Sequence, residues 1–95
     1  MSEVDFEALG RCEHLKGKFN EALRLRDWAA TKLAGLSNLY SSTQDMIYRV
    51  NIQEIEATLE VLKQHQSSLE EIVAEYNSWA EKANKKPMQF VSNRR

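Results

Sequence analysis

Tyr48, Ile55, Leu62, Leu69, Tyr76 and Ala83 recur every seven residues without a break. A column sustained in this way marks a helix that buries one stripe against a neighbouring helix. Ile52, Leu59, Val73 and Ala80 flank the column on one side, and Ile72 and Trp79 on the other. Pro87, after Lys85-Lys86, is a stop signal, so a long helix is expected from about Thr43 to Lys85. Asn51-Ile52-Gln53-Glu54 also fits a capping box, and the competing reading is a short third helix near 43–50 ahead of a helix that starts there.

The first half of the chain carries a comparable stripe. Ala8, Leu15, Ala22, Ala29 and Leu36 form one seven-residue column, flanked by Cys12, Phe19, Arg26, Leu33 and Tyr40 and by Leu9, Lys16, Leu23, Ala30 and Ser37. These columns fall within about 100° of arc, the width of a core-facing stripe. Ser2 reads as the N-cap, with Glu3 and Asp5 suited to a helix N-terminus, so the first helix is expected from about Ser2 to Leu36. Gly35, Ser37 and Asn38 weaken it, and Ser41 to Asp45 reads as a bend. Three glycines and one proline in 95 residues are too few for an all-β or loop-rich fold.

The expected fold is therefore all-α: an antiparallel hairpin of two long helices in residues 1–86, with a short basic tail in 87–95. Folding about position 41 pairs residue i with roughly 82 − i, which sets Arg26 near Glu56, Lys16 near Gln66, and Trp79 beside Val4 and Phe6. So short a chain buries a modest core, and dimerisation into a four-helix bundle is the expected source of extra stability.

Charge separates along the chain although the net value is only −1. Glu54, Glu56, Glu60, Glu70, Glu71 and Glu75 face a single base, Lys63, whereas the chain beyond Glu81 carries Lys82, Lys85, Lys86, Arg94 and Arg95. The near-neutral balance gives no global attraction to nucleic acid, and such binding is expected only through the basic tail. One cysteine, Cys12, has no partner for an internal disulfide. The acidic start, MSEVDFEALG, lacks the basic n-region of a secretory signal, so a reducing cytoplasm is the expected setting. No run of eighteen apolar residues is present, and no membrane span is expected.

No residues with catalytic or metal-ligand spacing stand out, and no enzymatic role or cofactor is expected. Cys12 and His14 lie two apart, which turns them about 200° from each other on a helix and denies them a shared metal ion. His65 and Gln66 interrupt the apolar flanks of the second helix, and with Lys16 they read as a register-setting polar layer rather than as a catalytic base. The tail residues Met88, Phe90 and Val91 are expected to fold over the bundle end and to be removable.

The segment from Trp28 to Thr43 is the unusual one: it holds a single charge, Lys32, in a chain that is 28% charged. Leu25, Trp28 and Leu39 lie on the flank of the main stripe, with Lys32 and Gly35 between them. A half-helix that is apolar or small almost all round needs cover from more than one side. These five residues are therefore the expected partner-binding site, and Trp28 its anchor. The partner is expected to be a second copy, another protein, or both. The bend, GLSNLYSST, lacks the W-x-G found at the bend of small secreted hairpin proteins. A second expectation is a small phage- or mobile-element-encoded modulator that binds a host enzyme or a nucleic-acid-processing complex.

Overall fold

The computed structural model describes residues 5–37, 47 and 49–91. Two α-helices, α1 (Phe6–Ser37) and α2 (Ile52–Ala80), pack side by side as a hairpin, and no strand occurs among the described residues. Neither helix is long and apolar enough to cross a membrane.

Each helix begins where a side chain caps it. The backbone N–H of Ala8 donates to Asp5 Oδ1 at 3.1 Å, so Asp5 caps α1. The Ser2 cap expected from the sequence lies outside the described residues. At α2 the Glu54 N–H donates to Asn51 Oδ1 at 3.1 Å, and the Asn51 amide returns a bond to Glu54 Oε2 at 3.3 Å. This reciprocal cap overturns the expected start at Thr43. Ile47, Arg49 and Val50 have no regular structure, so the helix ahead of Asn51 does not exist at those residues. Most of the 43–50 segment, like the Ser41–Asp45 bend, lies outside the described residues.

The far end of α2 closes by a different device. Lys85 N–H reaches back to the carbonyl of Ala80 at 2.8 Å, Asn84 N–H reaches that of Glu81 at 3.2 Å, and Asn84 takes φ 58°. That is a Schellman closure, with asparagine in the left-handed position that glycine more often fills. The helix therefore ends before Lys85, and Pro87 follows the stop rather than causing it.

The later start of α2 lengthens the connection and slides the helices past each other. Arg26 Nη1 donates to Gln66 Oε1 at 2.9 Å, Lys32 Nζ stands 3.5 Å from Glu54 Oε1, and the Arg11 guanidinium lies over the Trp79 ring. Residue i thus faces roughly 90 − i. The expected pairs Arg26–Glu56, Lys16–Gln66 and Trp79–Phe6 are corrected accordingly. Phe6, expected under Trp79, is 80% exposed.

The core is rich in small side chains. Ala8, Ala22, Ala29, Ala80 and Ala83 are buried together with Cys12, Leu15, Leu69, Val73 and Tyr76. Its continuous part sits at the end where α1 begins and α2 ends, where Ala8, Cys12, Leu15, Tyr76, Ala80 and Ala83 close on one another. Towards the connection, among described residues, burial thins to Ala22, Ala29 and Thr58, while Leu25, Leu33, Leu36, Ile55 and Leu62 remain partly exposed.

The chain after Pro87 joins this packing. Asn77 grips the backbone of Met88 from both sides: Met88 N–H donates to Asn77 Oδ1 at 2.8 Å, and Asn77 Nδ2 donates to the Met88 carbonyl at 2.9 Å. Met88 packs against the terminal core cluster. Phe90 and Val91 stay largely exposed beside Phe19, Leu23, Leu69 and Val73. A division after residue 86 therefore cuts through a packed unit.

Candidate partner-binding face

A two-helix layer has two broad faces, and in this molecule they differ. At about 100° per residue, Phe19, Leu23, Arg26 and Ala30 lie on one side of the buried line Leu15-Ala22-Ala29. His14, Lys18, Leu25, Trp28 and Lys32 lie on the other. On α2 the corresponding split puts Leu59, Gln66 and Val73 on the first side and Glu54, Val61, His65 and Ile72 on the second. The tail lies on the first side, so this is the tail face. The second is the open face.

Along the open face runs a groove of about 630 Å³, lined by His14, Ala22, Leu25, His65 and Ile72 among others. A separate, smaller hollow of about 120 Å³ lies on the same face nearer the connection, between Trp28, Lys32, Glu54, Thr58 and Val61. Three of the five residues expected to bind a partner, Leu25, Trp28 and Lys32, therefore share one face. Gly35 is exposed, and a Cβ built on it meets no atom, so nothing among the described residues requires a glycine there. Leu39 lies outside the described residues.

Trp28 is 56% exposed. Its ring is nonetheless held in place: Lys32 Nζ stands 5.4 Å from the ring centroid and bridges to Glu54 on the facing helix. An aromatic fixed by a cation–π contact loses little further freedom when a partner covers it. Near the groove, Arg24 Nη2 meets Glu21 Oε1 at 2.6 Å, and this hydrogen bond and its charge hold the Glu21 carboxyl below the ordinary carboxylate range.

The polar layer expected from Lys16, His65 and Gln66 is not one cluster. Gln66 lies on the tail face, bound to Arg26 and, through Nε2, to Glu70 Oε2 at 2.9 Å. His65 lies on the open face, half-buried in the groove. Lys16 is exposed on α1, ten residues before Arg26, or about 15 Å along the helix axis. A register contact does exist, and its α1 member is Arg26. Arg26 falls within an otherwise apolar column of the first helix, and its charge there was the available signal.

Val61 is the open-face residue that the heptad reading missed, because it belongs to neither the central column nor its named flanks. Its half-buried position beside Trp28 follows from the observed start of α2. Among the described residues no three His, Cys, Asp or Glu side chains gather as metal donors. Cys12 is 1% exposed and a free thiol within the terminal core. Comparison with known proteins gives no match to a family model, to a curated protein or to a solved structure.

Proposed function

We propose that this chain is a non-enzymatic protein–protein interaction module, and that the open face is the surface it presents. The carrying observation is Trp28, exposed yet pre-positioned, on a face where Leu25 and Ile72 line a groove and Val61 lines the hollow beside Trp28. Tryptophan is the side chain most enriched among residues that dominate binding energy.

The shape of the molecule supports the same reading. The hairpin measures 25 × 14 Å across, a single layer of helices. Its radius of gyration is 19.4 Å, against about 12 Å for a compact chain of this length. It exposes 7914 Å², whereas a compact monomer of its mass exposes about 5,600 Å². Surface of that extent, apolar in its middle and charged at its edges, is what an association partner covers. The partner is a protein chain, and the lone free thiol of Cys12 suits a cytoplasmic setting.

The test is a comparison of proteins retained from the native host by the wild-type chain and by Trp28→Glu. The reading expects specific proteins, further copies of the chain included, to be held by the first and lost by the second. Identical retention by both, with helix content unchanged, refutes it.

A further inference from the structure

We infer that the open face is covered by a second copy of this chain, packed about a two-fold axis parallel to the helices, so that α1 of each copy lies on α2 of the other. The inference rests on the interaction role proposed above and adds the identity of the partner and its orientation.

Three observations carry it. The first is which face is free. On the tail face, the stretch beside Phe19, Leu23, Leu69 and Val73 is already occupied by Met88 and the residues after it, fastened by Asn77. Nearer the connection the tail face stays open, as a groove of about 620 Å³ between Arg26, Ala30, Leu59 and Leu62, whereas the open face has no strap anywhere among the described residues, and its grooves extend from His14 to Lys32 on α1.

The second is charge. At about 100° per residue, the open side of α1 carries Arg11, Lys18 and Lys32 against Glu7 and Glu21. The open side of α2 carries Glu54 and Glu75 and no base. Two copies can meet face to face with like helices opposed or with unlike helices opposed. The like arrangement sets the acidic α2 against its own image, and the unlike one sets it against the basic α1. A two-fold axis along the helices gives the unlike arrangement and also makes every neighbouring pair of helices antiparallel. At equal height, Lys32 then approaches Glu54 of the other copy, and Trp28 approaches the level of Val61 and His65.

The third is area. A face as long as α2, 29 residues, and 25 Å wide covers about 1,100 Å² per copy, or about 2,200 Å² in all, which is the size of a stable homodimer interface. The bases and acids at the rim would set orientation, while Leu25, Trp28, Val61 and Ile72 form the apolar centre.

Sedimentation of the full chain between 1 and 100 µM gives the decisive measurement. A dimer that persists at low micromolar concentration is expected, and a wild type still monomeric at 100 µM overturns the inference. That outcome leaves the interaction role to its own retention test. Trp28→Glu is expected to weaken the dimer at least ~30-fold, the scale of a dominant interface residue. Trp28→Lys, which sets a cation against the acidic helix, is expected to weaken it several-fold less at low salt, and the gap is expected to close as salt screens the charges. Equal effects of the two substitutions at low salt overturn the orientation. A dimer indifferent to both overturns the choice of face. Cysteine pairing reads the orientation independently of stability. An equimolar mixture of Leu25→Cys and His65→Cys chains is expected to form a disulfide-linked pair, with buried Cys12 left in place. Ready self-linking of Leu25→Cys alone places α1 on α1 and overturns the inference. Far-ultraviolet spectra matching the wild type show that each variant is folded.

Discussion

Asn77→Ala tests whether the tail belongs to the fold. The substitution removes both hydrogen bonds to the Met88 backbone, at 2.8 and 2.9 Å, each worth about 1 kcal/mol net. Alanine also gains about 0.6 kcal/mol of helix propensity over asparagine at an interior position of α2. The net expectation is a loss of about 1.4 kcal/mol, since freed Met88 groups find water once the tail lifts. For a domain of this size that lowers Tm by about 6–11 °C. In a chain truncated after Lys86 there is nothing for Asn77 to hold. There the propensity gain stands alone, and the same substitution should raise Tm by about 2–5 °C. The sign of the effect therefore reverses between the two backgrounds, with a coupling of about 2 kcal/mol. Thermal melts of the four proteins by circular dichroism decide it. Equal shifts in both backgrounds would show that Asn77 does not fasten the tail and would refute the reasoning.

Leu69 is the largest of the described side chains that are essentially sealed from solvent, and Leu69→Ala should cost about 2–4 kcal/mol by urea unfolding; a loss under about 1 kcal/mol contradicts its place in the core. Asn51→Ala removes the cap on Glu54 N–H and should cost about 1 kcal/mol, with faster amide exchange confined to the first turn of α2; unchanged exchange there would place the helix start elsewhere. Burial first, and the neighbouring Cys12 and Glu13 second, push the Tyr76 phenol above its ordinary 10.0. Below pH 10 the phenol is neutral in folded and unfolded chains alike, and its stabilisation is complete; as pH rises from there through the raised native value, the unfolded chain releases the proton first and stability is lost. Tyr76→Phe should therefore flatten the alkaline fall in urea midpoint relative to wild type, and parallel curves for the two proteins would contradict the assignment.

The helical hairpin was legible because burial against a single neighbour leaves a seven-residue record. Leu69, Tyr76 and Ala83 sit in the predicted column and are buried, as are Ala8, Leu15, Ala22 and Ala29 of the first. The start of α2 was misread because that column runs back to Tyr48, past the point where helical backbone begins. Apolar spacing records which side chains would share a face if the chain were helical; it does not record whether the helix is nucleated. The cap at Asn51 does record that, and it carried the true boundary. The displaced start then shifted every cross-helix pair, so Trp79 met Arg11 rather than Phe6. The shared face of Leu25, Trp28 and Lys32 was readable, since their spacing is a property of α1 alone. Its α2 half depended on register, which put Val61 and His65 there. The Asn77–Met88 clamp has no sequence signature: one amide gripping a backbone unit eleven residues away depends on how the chain turns at Asn84.

The concentration of packing at the terminal end has a mechanical consequence. A hairpin pulled at the start of one helix and the end of the other opens like a zipper, one turn at a time, from that end. Here that is the strongest part: Ala8, Cys12 and Leu15 close on Tyr76, Ala80 and Ala83, with Met88 wedged alongside. Tension applied at Asp5 and Lys85 must break this cluster before any softer turn is loaded. Beyond it, the thinly covered turns towards the connection offer little further resistance. Force-extension curves should show one early rupture followed by a low, featureless release, and moving the handles to opposite ends of the hairpin should abolish that first peak.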